Sequence, residues 1–156
     1  MNPRYVVDTC SLTALRRLYP SDVFAPVWDF VGELAGKEIL VSVDEVYEEL
    51  AAQDDEVLEW ARRHKSVFRP LTLDVQAQAK QILSSHTDLY DPKKRTSSAD
   101  PFLIGLARQL DAAVVTEEGY STGRRPKIPD VCRDYGVECI DLLTMLRHEG
   151  LRLRRA

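Results

Sequence analysis

Short apolar runs alternate along the chain with longer stretches of helical period. Tyr5-Val6-Val7 is an aromatic and β-branched run that stops at Asp8, and reads as a buried strand. Thr9, Cys10 and Ser11 then offer side chains able to cap a helix, and Leu12, Leu15 and Leu18 follow at helical spacing. Pro20-Ser21-Asp22 is a turn and a fresh cap. Phe24, Val27, Trp28, Val31 and Leu34 form the stripe of a second helix that ends at Gly36. Residues 39–43 (Ile-Leu-Val-Ser-Val) make the second clear strand, and the acids Asp44 and Glu45 suit the start of the helix after it. Asp54-Asp55 divides that segment into two helices.

A weaker extended piece at Val67-Phe68 leads to a helix from about Asp74 to Leu83. Residues 85–98 are the longest polar stretch and read as a surface loop. Phe102, Leu103, Leu106 and Leu110 then line a helix, residues 112–116 form a third clear strand, and 117–127 a Gly- and Arg-containing loop. Pro129 stands near the first position of the next helix. Val137 to Ile140 predicts a fourth strand and Leu142 to His148 a last helix. Strands separated by helices pair in parallel through right-handed crossovers. The expected fold is therefore a three-layer α/β/α domain with a central, mainly parallel sheet of four or five strands. It occupies residues 1–150 as a single domain, and 151–156 form a basic tail.

Composition narrows the function classes. With 156 residues, 44% of them hydrophobic, the chain is long enough for one real core. Its formal net charge is −4, which excludes binding of nucleic acid by bulk positive charge but leaves local basic patches open. No stretch free of Asp, Glu, Lys and Arg exceeds seven residues, so neither a membrane span nor a signal-peptide core is expected. Cys10, Cys132 and Cys139 are odd in number and irregular in spacing. They read as reduced thiols of a cytoplasmic protein, not as a disulfide framework or zinc site.

In an open parallel sheet ligands gather at the carboxyl ends of the strands, where strand order reverses. The first strand ends in Asp8 and the third in Thr116, with Glu117 and Glu118 beyond. Asp100 opens the helix that feeds the third strand, and Glu48 and Glu49 lie on the helix after the second. Carboxylates gathered at one edge repel one another, and burial adds to the cost. Such a cluster calls for a cation, and oxygen ligands without His or Cys favour Mg²⁺ or Mn²⁺. An ion so held activates water and neutralises charge on a phosphate in the transition state.

Four segments carry a family resemblance. They are Tyr5-Val-Val-Asp8-Thr-Cys-Ser11, Val46-Tyr-Glu-Glu49-Leu50, Ala99-Asp100-Pro-Phe-Leu-Ile-Gly-Leu-Ala107 and Val114-Val-Thr116-Glu-Glu118. In this order they resemble the signature segments of PIN-domain nucleases, above all the single-domain ribonuclease toxins of the VapC type. The resemblance implies Asp8, Glu49, Asp100 and Glu118 as metal-binding, catalytic acids. The fourth position is usually Asp in that family. Here it holds Glu, about one methylene longer, and Glu117 stays open as its alternative. Ser11 matches a hydroxyl that orients the first acid, and Thr116 can do the same by a hydrogen bond. The resemblance further implies Mg²⁺ or Mn²⁺, an RNA substrate, and hydrolysis leaving a 5′-phosphate and a 3′-hydroxyl. Such proteins are commonly held inactive by a cognate antitoxin protein, and they commonly form homodimers.

Each residue also has a plainer reading. Asp8 can serve as a helix N-cap, although Ser11 offers itself for that role and would leave Asp8 free. Asp100 before Pro101 makes a good N-cap with Pro at the first helical position. Glu45 and Glu48 compete with Glu49. Lys93, Lys94, Arg95, Arg124, Arg125 and Lys127 are solvated loop residues, or hold RNA phosphates if their loops share a rim with the acids. Tyr90 and Tyr120 beside these loops offer stacking surfaces. His64, His86 and His148 follow no ligand spacing, and Trp28 and Trp60 sit on helix stripes as core or interface residues. The rival function is a PIN-like RNA-binding or protein-interaction module with a weakened metal site, which the Glu at position 118 invites. A haloacid-dehalogenase-like phosphatase would need an acid two residues after Asp8, where Cys10 stands.

Overall fold

A computed structural model describes residues 2–53, 55–86, 99–123 and 126–155. Lys93, Lys94, Arg95, Tyr90, Arg124 and Arg125 lie outside the described residues. Five strands form one all-parallel sheet in the order β3-β2-β1-β4-β5. They are β1 (Tyr5–Val7), β2 (Leu40–Val43), β3 (Phe68–Arg69), β4 (Ala113–Val115) and β5 (Cys139–Ile140). The three central strands are wholly buried, which is why they read as unbroken apolar runs and not as alternating ones. Register sets Val6 beside Val41 on one side and Val114 on the other. The one polar residue of β2, Ser42, is fully buried and donates its hydroxyl to the Val7 carbonyl at 2.7 Å.

Eight α-helices connect the strands among the described residues: α1 (Thr9–Leu18), α2 (Ser21–Gly36), α3 (Asp44–Ala51), α4 (Glu56–Arg63), α5 (Leu73–Ser85), α6 (Asp100–Leu110), α7 (Ile128–Tyr135) and α8 (Leu142–His148). None is long and apolar enough to cross a membrane. Asp55 caps α4 through Val57 N–H and Leu58 N–H, which explains the break after α3. Phe24 leaves helical geometry inside α2 (φ −113°, ψ 34°), two residues before Pro26. Proline lacks the N–H the ladder needs, so the single helix expected from the apolar stripe is bent at its start. The fourth strand is shorter than Val137 to Ile140 predicts, since only Cys139–Ile140 pairs with β4.

Helices α1, α3 and α4 pack on one another, whereas α6 lies across β1, β2 and β4 with α5 and α7 beside it. With right-handed crossovers these groups cover opposite faces of the sheet. Gly105 permits the tight α5–α6 contact. A Cβ there would stand 3.2 Å from both Gln78 Cβ and the Val75 carbonyl oxygen. The chain leaves β1 toward β2 and returns on the other side as β4. The ends of β1 and β4 are therefore the switch point of the sheet, where flanking loops diverge and open a crevice.

Candidate functional site

Asp8 is the first residue past β1 and sits 5% exposed in that crevice. Its Oδ1 accepts the Thr9 backbone N–H at 2.8 Å, and its Oδ2 accepts the Thr116 hydroxyl at 2.9 Å and the Cys10 thiol at 3.0 Å. Burial pushes the Asp8 carboxyl up even against these donors. Asp8 is thus the N-cap of α1, which corrects the expectation that Ser11 would take this role. Because α1 starts at Thr9, Ser11 already lies inside its first turn. The Ser11 hydroxyl is fully buried and donates to Glu117 Oε2 at 3.4 Å, so it does not orient Asp8. Thr116, from the end of β4, does.

Glu49 comes from α3, on the side of the helix that turns toward α1. The Thr9 hydroxyl donates to its Oε2, while its Oε1 is buried without a hydrogen-bond partner. Burial first, and then the nearby Asp8 charge, raise the Glu49 carboxyl to about 7, with Thr9 opposing the rise. Glu48 is exposed and Glu45 half-buried, and neither lines the crevice. Asp100 is 8% exposed and is itself the first residue of α6. The N-cap position belongs to Ala99, which makes no side-chain cap, so the expectation of Asp100 as N-cap moves by one residue. Burial, followed by the charges of Asp8, Glu118 and Glu49, raises the Asp100 carboxyl to about 9.

The two glutamates after β4 part ways. Glu117 accepts the Leu142 N–H at 3.3 Å and faces the start of α8. Glu118 lines the crevice with the other acids, and its Oε2 also accepts the Ile128 N–H at 3.2 Å. The crevice holds a cavity of about 460 Å³, walled by Asp8, Glu49, Asp100 and Glu118 together with Thr9, Cys10, Thr13, Arg17, Ala52 and Gln53. All four acids named from the sequence therefore border one space, although they come from four separate segments.

A hard divalent cation fits this donor set chemically. The acids raise one another's proton affinity, and one buried carboxylate oxygen stands orphaned. Burial, with the Asp8 charge beside it, pushes the Cys10 thiol well above its usual range, so in the metal-free protein it is a neutral donor to Asp8 Oδ2. Among the described residues no three His, Cys, Asp or Glu side chains are already closed around one point. Asp8 is engaged by its three donors and Glu118 by Ile128, so the acids border the cavity without yet converging.

The remaining candidates lie elsewhere. His64 stacks on Trp60 with ring centroids 4.7 Å apart, His86 meets Asp134 at 2.9 Å, and no histidine lines the crevice. Trp28 and Trp60 are buried in the core. Lys127 is exposed at the N-cap of α7, next to the Ile128 N–H that holds Glu118, but does not wall the cavity. Tyr120 is 59% exposed with the Arg133 guanidinium over its ring. Arg17, which the sequence pattern did not single out, does wall the cavity. The signal was its position four and eight residues after Thr13 and Thr9 on one face of α1.

Over residues 5–153 the chain matches the family described as a domain of unknown function, DUF4411, and it belongs to that family. No curated protein matches it.

Proposed function

We propose that this DUF4411 member is a metal-dependent endoribonuclease of the PIN-domain, VapC-like kind, and the cytoplasmic toxin of a toxin–antitoxin pair. What carries the reading is the meeting of Asp8, Glu49, Asp100 and Glu118 at the switch point of the sheet. Two buried carboxyls, Asp8 and Asp100, set beside the half-buried Glu49 and the exposed Glu118 are hard to explain as a stabilising feature of the fold. Mg²⁺ or Mn²⁺, held by these four acids, would neutralise charge at a phosphate and acidify a bound water. Water adds to phosphorus, the bond to the 3′-oxygen breaks, and a 5′-phosphate and a 3′-hydroxyl are left.

The chain's own part is orientation. Thr116, Cys10 and the Thr9 N–H fix Asp8, and the Thr9 hydroxyl ties Glu49 to the same helix start. Thr9 thereby couples acids from α1 and α3. The longer reach of Glu118 is matched by its anchor on the Ile128 N–H. The proposed partners are single-stranded or structured RNA as substrate, a cognate antitoxin as inhibitor, and a second copy of the chain.

Purified protein with Mn²⁺ should nick RNA, and Asp8→Asn or Asp100→Asn should abolish the cutting while circular dichroism stays unchanged. Cutting that persists in excess EDTA, or in both variants, would overturn the proposal. A second reading, an RNA-binding or interaction module with a weakened metal site, draws on the engagement of Glu118 with Ile128. Calorimetric titration separates the two, because the module takes up no Mn²⁺ at millimolar concentration.

A further inference from the structure

The acidic crevice has one basic side chain on its wall among the described residues, Arg17. Its neighbour Arg16 is committed to the fold, with its guanidinium 3.5 Å from Asp55 at the start of α4. Arg17 is exposed and forms no ion pair among the described residues. Successive helical residues diverge by about 100°, which is why these twins have different fates. Thr9, Thr13 and Arg17 share one face of α1, and that face leads from the acids outward over about 12 Å, eight residues at 1.5 Å each. The acid that feels the Arg17 charge is Glu117, just past the end of β4 beside the crevice.

The rest of the wall is small and mixes polar ends with methyl and methylene surface: Thr13 and Gln53 beside Ala52, with no aromatic ring among the described lining residues. Such a wall offers donors to a phosphate and a sugar but no platform on which a base can stack. A cavity of about 460 Å³ has the size of a small-molecule pocket, suited to one backbone segment and too small for a duplex. On a chain of net charge −4, a polyanion must be held by local positive charge. We infer that Arg17 is the positioning residue for the substrate, gripping the phosphate next to the scissile one and laying single-stranded RNA along α1. The inference rests on the nuclease reading and adds the substrate's path and the group that holds it.

The test uses the full-length chain, Mn²⁺ and a fluorogenic single-stranded oligoribonucleotide, over a series of salt concentrations. Arg17→Ala should raise KM by about ten-fold or more and change kcat by less than about three-fold. It should lower the slope of log affinity against log salt by about one. Arg17→Lys should restore most of the KM, because a point charge still meets a phosphate. Arg17→Gln should behave as the alanine variant does, and melting curves should match wild type in all three. KM and salt slope unchanged in Arg17→Ala, or a loss confined to kcat, would overturn the inference. If the wild-type chain does not cut RNA, the nuclease reading fails separately. Arg17 is then judged by fluorescence anisotropy of the same oligonucleotide on Mn²⁺-loaded protein, where equal affinity of wild type and Arg17→Ala overturns it.

Discussion

Replacing Asp100 by Asn should make the metal-free protein more stable, and increasingly so as pH rises. The Asp100 carboxyl is 8% exposed and faces the charges of Asp8, Glu118 and Glu49, which with burial lift it from 3.8 to about 9. Between those values the folded chain keeps a proton that the unfolded chain has released. Stability is therefore fully present below about pH 4 and falls with rising pH, by at most about 1.4 kcal/mol per unit. From pH 5 to pH 8 the limit is about 4 kcal/mol, and relaxation of the side chain toward water leaves roughly 2–3 kcal/mol. Asparagine has the same shape and no charge to suppress. In EDTA, the melting temperature of Asp100→Asn minus that of wild type should grow by roughly 5–10 °C between pH 5 and pH 8, at 2–4 °C per kcal/mol for a domain of this size. Differential scanning calorimetry in matched buffers reads this directly. Saturating Mn²⁺ at pH 8 should close most of the gap, since binding at a hundred times Kd adds about 2.7 kcal/mol to wild type alone. A gap that stays constant with pH, or equal stabilisation of both proteins by Mn²⁺, would refute the electrostatic reasoning.

Three further outcomes are expected. Thr116→Val removes the 2.9 Å hydrogen bond to Asp8 and the 3.2 Å bond that the hydroxyl oxygen accepts from the Glu118 N–H, and should weaken Mn²⁺ affinity or cleavage about 10–100-fold in titration and rate assays. Gly105→Val places methyl groups where a Cβ alone meets the backbone of α5 at 3.2–3.3 Å, and should cost about 1–3 kcal/mol in urea unfolding with the m-value unchanged. Tyr5→Phe deletes the 2.6 Å hydrogen bond to Glu149 that ties β1 to the end of α8. It should cost about 1–2 kcal/mol, with no change in metal binding.

The fold was legible because its strands are short, buried on both faces and punctuated by polar residues, so a single period separates strand from helix. Asp8 and Asp100 were legible as acids at element boundaries. Which neighbour caps which helix was not. Leu12, Leu15 and Leu18 fit a helix starting at Thr9 as well as one starting after Ser11, and only the Asp8–Thr9 hydrogen bond decides. The choice among Glu45, Glu48 and Glu49 rested on resemblance, because the deciding contact, Thr9 to Glu49, spans forty residues of sequence. Glu117 and Glu118 are indistinguishable until α8 and α7 each offer one an N–H. Arg17 stayed hidden because Arg16 beside it looks identical in sequence, and the pairing of Arg16 with Asp55 exists only in three dimensions.

The central claim is that Asp8, Glu49, Asp100 and Glu118 act as one site for a hard divalent cation. Isothermal titration of Mn²⁺ into wild type, Asp8→Asn and Asp100→Asn at pH 7.5, in two buffers of different ionisation enthalpy, tests it most directly. Saturable binding by wild type alone is predicted, with release of the proton that Asp100 holds in the metal-free state. Absence of binding up to millimolar Mn²⁺, or the same isotherm in all three proteins, would contradict it.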